Sequence, residues 1–241
     1  MAAQSRTPPQ ALLVRLNGNN PLVDEIPDFA TVAARRSPGL DDLALAMAAE
    51  LRPVDAATAL MELDRLGAEL AQVAGGGPEE QAEACREVLG AQNGFAGDRE
   101  RYDAPENSML DVVLERRTGL PILLSIVYVE SARRAGVALA GVGLPGHYVV
   151  GQFEADPPLL LDPFAGGARL EQPMESSPHV RPWGPHETAL RMLNNVLASY
   201  TRRGDLGRAI RAAELRLALP LADSGRSALT AELTALRARL N

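Results

Sequence analysis

The chain has 241 residues, 46% of them hydrophobic, and a formal charge of −7, enough apolar material for one packed domain or one and a half. All 24 basic residues are arginine, so chemistry that needs a lysine amine is excluded, whether a P-loop, a Schiff base or pyridoxal phosphate. The single cysteine, Cys85, rules out an internal disulfide and leaves no cysteine-based zinc site.

Residues 1–28 are Pro-punctuated and have no long apolar core, so they read as a poorly ordered segment and not as a signal peptide. A helical region over 29–106 follows. DDLALAMAAELRP and VDAATALMELDRLGAELAQVA carry apolar residues at i, i+3, i+4 and i+7, with Asp55 as N-cap of the second. PEEQAEACREVLG reads as a third helix, with Pro78 near its start and Gly90 as its C-cap. Cys85 sits on the apolar stripe of that helix and reads as a small hydrophobe.

Residues 107–170 form the next unit. Asn107 or Ser108 is the expected cap of a helix over SMLDVVLERR that stops at Gly119. Pro121 opens a second helix, which Gly136 closes; it is apolar on nearly all sides through Val129 and is expected to be the central buried helix. The longest apolar run, Leu120 to Val129, is about half of the roughly 20 residues a membrane span needs. After Gly136 the period drops to two. VALAGVGL, HYVVGQF and LLLD read as strands of a small antiparallel meander, parted by Pro145-Gly146 and Asp156-Pro157-Pro158.

A Pro-rich connector over 171–185 holds the only Trp, Trp183. His179 and His186 flank it without a carboxylate or thiol at ligand spacing, so neither a metal nor a cofactor is expected. The tail, 186–241, reads as a helix pair turning at Arg203-Gly204-Asp205, in the pattern of one tetratricopeptide repeat, plus a capping helix. It carries 9 arginines against 5 acids, whereas the first 185 residues carry 15 against 26. An acidic body and arginines scattered without aromatics give no reason to expect nucleic-acid or membrane binding, and the default is a cytoplasmic protein.

His147 begins one expected strand and Asp162 ends the next. Opposed side chains of an antiparallel pair lie about 5 Å apart, close enough for a carboxylate to hold an imidazole in one tautomer. Ser125 lies one turn into the central helix from Pro121 and would complete a Ser-His-Asp set, although a helix-interior serine usually bonds the i−4 carbonyl.

The block NSMLDVVLERRTGLPILLSIVYVESARRAGVALAGVGLPGHYVVGQF, followed by LLLDPFAGG, resembles the SirB family of transglutaminase-like proteins, and the likeness runs from about Leu40 to Pro220. The resemblance implies an α+β fold: a helical N-terminal region, a papain-like transglutaminase core with a small antiparallel sheet, and tetratricopeptide-like helices. It implies that His147 and Asp162 match the histidine and aspartate of a triad, and that Pro121 stands where active transglutaminases place the cysteine of a Gly-x-Cys sequence. It also implies a non-catalytic module that binds a protein or peptide partner, in keeping with family members described as regulators of gene expression. The binding cleft would include Pro121, Asn107 and Phe164. The alternative is a hydrolase of amide or ester bonds, using Ser125 or a water activated by the His147–Asp162 pair.

Overall fold

A computed structural model describes residues 26–170 and 180–240. Most of the 1–28 segment and most of the 171–185 connector, His179 included, lie outside the described residues. Asp28 accepts the Thr31 N–H and caps the short helix α1 (Phe29–Ala33). Helices α2 (Leu40–Ala49) and α3 (Ala56–Val73) follow, and Asp55 caps α3 through the Thr58 N–H as its position in the sequence suggested. α4 (Pro78–Cys85) does not end at Gly90. It runs on as a π-helix over Arg86–Gln92. Gly90 is held there by contact and not by a cap: a Cβ on it would lie 2.0 Å from the Gly166 carbonyl oxygen.

β1 (Ala96–Gly97) leads through a 3-10 turn over Pro105–Ser108 into α5 (Leu110–Arg116). The expected cap at Asn107 or Ser108 is not formed. Both are buried inside the 3-10 turn, and Met109 takes the N-cap position with no side-chain bond. α5 also stops earlier than Gly119, at Arg117, whose φ of 60° turns the chain. Arg117 leaves its helix to pair with Glu62 and lie 4.7 Å over the Phe95 ring. Residues released by this early stop form β2 (Thr118–Gly119), which pairs in parallel with β1.

α6 (Pro121–Arg134) is the central helix, with Pro121 at its first position and 11 of its 14 residues buried. Burying each Leu, Ile or Val of this helix contributes about 1.5–3 kcal/mol. Towards its polar end, Glu130 accepts the Leu40 N–H at the start of α2 and pairs with Arg133 and Arg134. Against α6 lies a four-stranded antiparallel sheet of β3 (Ala140–Leu144), β4 (His147–Gln152), β5 (Leu159–Asp162) and β6 (Ala168–Arg169), in that order. Tyr148, Val150, Leu159 and Leu161 join the main core, while Val142, Leu144, Val149 and Leu160 form a smaller cluster on the other side. The alternation read from the sequence is therefore the alternation of these strands.

α7 (Pro185–Arg202), α8 (Leu206–Arg216) and α9 (Asp223–Arg237) complete the described chain. α7 lies against α2, with the His186 ring 2.9 Å from the Ala33 carbonyl, and Arg211 of α8 pairs with Glu50 at 2.6 Å. The basic tail is thus packed on acidic groups of the body.

Candidate functional site

β3 and β4 join through Pro145-Gly146, and Gly146 takes the positive φ (73°) that this two-residue turn needs. The turn puts His147 at the head of β4. Extending the β4–β5 register from Val150 opposite Leu161 sets Asp162 opposite Val149, two residues from His147 and on the same side of the ladder. The two are therefore a diagonal pair, not directly opposed residues, and a diagonal is spanned only by a longer side chain. The imidazole spans it: His147 Nε2 lies 3.0 Å from Asp162 Oδ2, with side chains 32% and 13% exposed.

Asp162 is itself fixed, because its Oδ1 accepts the Phe164 N–H at 2.9 Å. That bond caps the 3-10 turn Pro163–Ala165 and aims the Phe164 ring edge-on at His147, 6.4 Å between centroids. With Nε2 committed to the carboxylate, Nδ1 is the free nitrogen of the ring; it has no hydrogen-bond partner among the described residues.

The start of α6 is tied to this pair through β1. Gly97, opposite Gly119, lies so close to Phe164 that a Cβ would be 2.3 Å from the ring. Asn107 braces the same corner. Its carbonyl accepts the Leu120 N–H at 3.0 Å and its amide donates to the Arg101 carbonyl at 2.7 Å. Asn107 and Pro121 are both buried, so of the three cleft residues expected from the sequence only Phe164 is partly open to solvent.

Ser125 shares a face of α6 with Pro121 and Tyr128. It is 0% exposed, and its Oγ has no hydrogen-bond partner, neither His147 nor the expected i−4 carbonyl. Tyr128, one turn further on, brings its hydroxyl against Gly90 and Gly167, just past Asp162. Burial pushes that phenol above its ordinary range. Cys85 is fully buried, and burial pushes its thiol up to about 12, which leaves almost no thiolate near neutral pH. No group of three or more His, Cys, Asp or Glu side chains able to hold a metal occurs among the described residues.

Two contributors were not found from the sequence. Arg191 on α7 donates to the Leu144 and His147 carbonyls, at 3.1 and 2.9 Å, and so holds both ends of the β3–β4 turn. Tyr102 sets its ring edge-on against Phe164, 5.8 Å between centroids. An arginine at helical spacing and a tyrosine in a polar loop carry no local signal of either role.

The profile of the transglutaminase-like superfamily matches residues 57–211, from α3 into α8. The chain belongs to that superfamily. Among curated relatives, a UPF0162 protein of Xylella fastidiosa is 37% identical over 154 residues, 56% of this chain and 54% of its own length. UPF0162 protein PA3419 of Pseudomonas aeruginosa is 37% identical over 146 residues, 58% and 52% of the two chains. The chain thus spans about half the length of these relatives. F-box only protein 21 of Mus musculus is 40% identical over 68 residues, 28% of this chain and 11% of that one. No solved structure matches. The transglutaminase-like assignment made from the motifs holds, as does a mixed helix-and-sheet fold. No described helix is long and apolar enough to cross a membrane.

Proposed function

We propose that this superfamily member, of the SirB type, is a non-catalytic module that binds a protein or peptide in the cleft at His147 and Asp162 and acts as a regulator in the cytosol. The observation that carries this is an open imidazole–carboxylate pair with no nucleophile attached. Nδ1 of His147 meets no hydroxyl or thiol among the described residues, Ser125 is sealed, and Cys85 is buried with its thiol raised. Pro121 at the first position of α6 stands where the resemblance puts the attacking cysteine, and an imino acid has no atom that can attack. The pairing of α7 with α8 on α2 supports α7–α8 as a single tetratricopeptide-like repeat that shields its inner face on the body.

A peptide library displayed on phage, selected on the full chain, tests the binding role. Selected peptides should bind the wild type and lose binding to His147→Ala. Peptides that bind both equally would remove the cleft from the account.

One observation favours a second reading. A partly exposed imidazole, oriented by a carboxylate and without a partner at Nδ1 among the described residues, has the arrangement of a general base for water. Hydrolysis of a panel of peptides and esters by the wild type, abolished in His147→Ala, would establish it and overturn the non-catalytic role. A serine-reactive phosphonate should leave Ser125 unlabelled.

A further inference from the structure

Beside the candidate site, between the loop before α5 and the flank of α7, lies a cavity of about 200 Å³. Ligand pockets run from roughly 300 to 1,000 Å³, so this one has room for part of a ligand and not for a whole small molecule. Its walls are Tyr102 and Ser108 on one side and Asn195 and Ala198 on the other, with Leu120 from the start of α6 also lining it. Tyr102 belongs both to the cavity and to the ring series that runs through Phe164 to His147.

Its electrostatics are specific. The two charged residues that line it, Asp103 and Arg202, pair with each other, and the Ser199 hydroxyl donates to the Asp103 carbonyl at 2.6 Å. What is left to a ligand is neutral. The Asn195 carboxamide has no hydrogen-bond partner among the described residues. Ser108 is fully buried, and its Oγ is unsatisfied. Unlike Ser125, Ser108 lines this cavity, and a buried hydroxyl without a partner is costly.

We propose that this cavity is a side-chain subsite. It accepts one short uncharged polar side chain, a serine, threonine or asparagine, of a polypeptide whose backbone passes Tyr102 and Phe164 toward His147. Ser108 Oγ and the Asn195 amide supply the donor and acceptor, and Leu120 and Ala198 meet the aliphatic part. A carboxylate or ammonium is disfavoured because no unpaired opposite charge faces it.

The inference rests on the cleft proposed above only in the direction the backbone takes. It is tested by titrating the ¹⁵N-labelled full chain with blocked tripeptides, acetyl-Gly-X-Gly-amide, with X as Ser, Asn, Ala or Asp. Saturable shifts at the amides of Ser108, Leu120 and Asn195 are expected for Ser and Asn. Binding should weaken about fivefold for Ala, the worth of one hydrogen bond, and by at least as much for Asp. Asn195→Ala should weaken the Ser and Asn peptides by a similar factor. Ala198→Leu, which fills the cavity from a partly exposed helix position, should abolish their binding. Failure of all four peptides to shift these amides, or binding unchanged in Ala198→Leu, would overturn the subsite. Shifts in the cavity with a silent His147 ring would keep the subsite and sink the cleft instead. A responsive His147 ring with a silent cavity would do the reverse.

Discussion

Two buried groups distinguish structural from chemical roles at the level of single residues. The Ser125 hydroxyl is sealed and bonds nothing, so its removal frees the protein of an unmet polar group. Ser125→Ala should therefore leave unfolding stability unchanged or raise it by up to about 1 kcal/mol, measured by urea denaturation. A loss greater than that would mean the hydroxyl has a partner in solution. Gly97 is the opposite case, a residue defined by what cannot be added to it. In Gly97→Ala the new methyl would collide with the Phe164 ring, and overpacking of this kind costs about 1–3 kcal/mol. Because that ring abuts His147, the imidazole proton resonances should also move, although the substitution is on another strand. Unmoved resonances would show that Phe164 does not hold the imidazole in place.

The elements that could be read from the sequence are those with a local cause. Asp55 precedes an apolar period of 3.6, Pro121 and Gly136 bracket α6, and Pro145-Gly146 separates two runs of period two; each appears where its residues require it. What could not be read depends on distant contacts. Gly90 looks like a helix terminator, but its lack of a side chain serves the close approach of Gly166, and the helix widens to a π-turn around it. Gly90→Ala should consequently destabilise the fold, where a helix-interior glycine exchanged for alanine would ordinarily gain up to about 1 kcal/mol. Thermal unfolding decides the sign, and a raised melting temperature would contradict the contact. The two-residue strands β1, β2 and β6 are too short to have a period. The diagonal His147–Asp162 pairing depends on a register that no single strand encodes. The two residues themselves were legible because each stands at the end of its run.

For the molecule as a whole, the acid groups work in two directions. The Arg65 guanidinium holds Glu62 below the usual carboxylate range, Arg86 does the same for Glu83, and Arg181 for Glu187. A depressed folded-state value contributes stability that is fully present above the unfolded value and is lost as pH falls through the folded one. Glu130 and Asp111 are raised, chiefly by burial, so their protonation in the same range favours the folded state and offsets part of that loss. The depressed carboxyls outnumber the raised ones among the groups whose shifts are resolved. Denaturation midpoints should accordingly decline as pH is lowered from the ordinary glutamate value near 4.5, and less steeply in Glu83→Gln. A midpoint that rises on acidification would show that the buried carboxyls dominate.

The Arg191 guanidinium, more than forty residues along the chain, fastens both ends of the hairpin bend that carries the imidazole. A fragment cut to the motif-bearing block, ending after residue 170, would keep every residue of the ladder and lose this brace. A recombinant piece that lacks α7 would therefore present the histidine at the head of β4 without the arginine that fastens its bend.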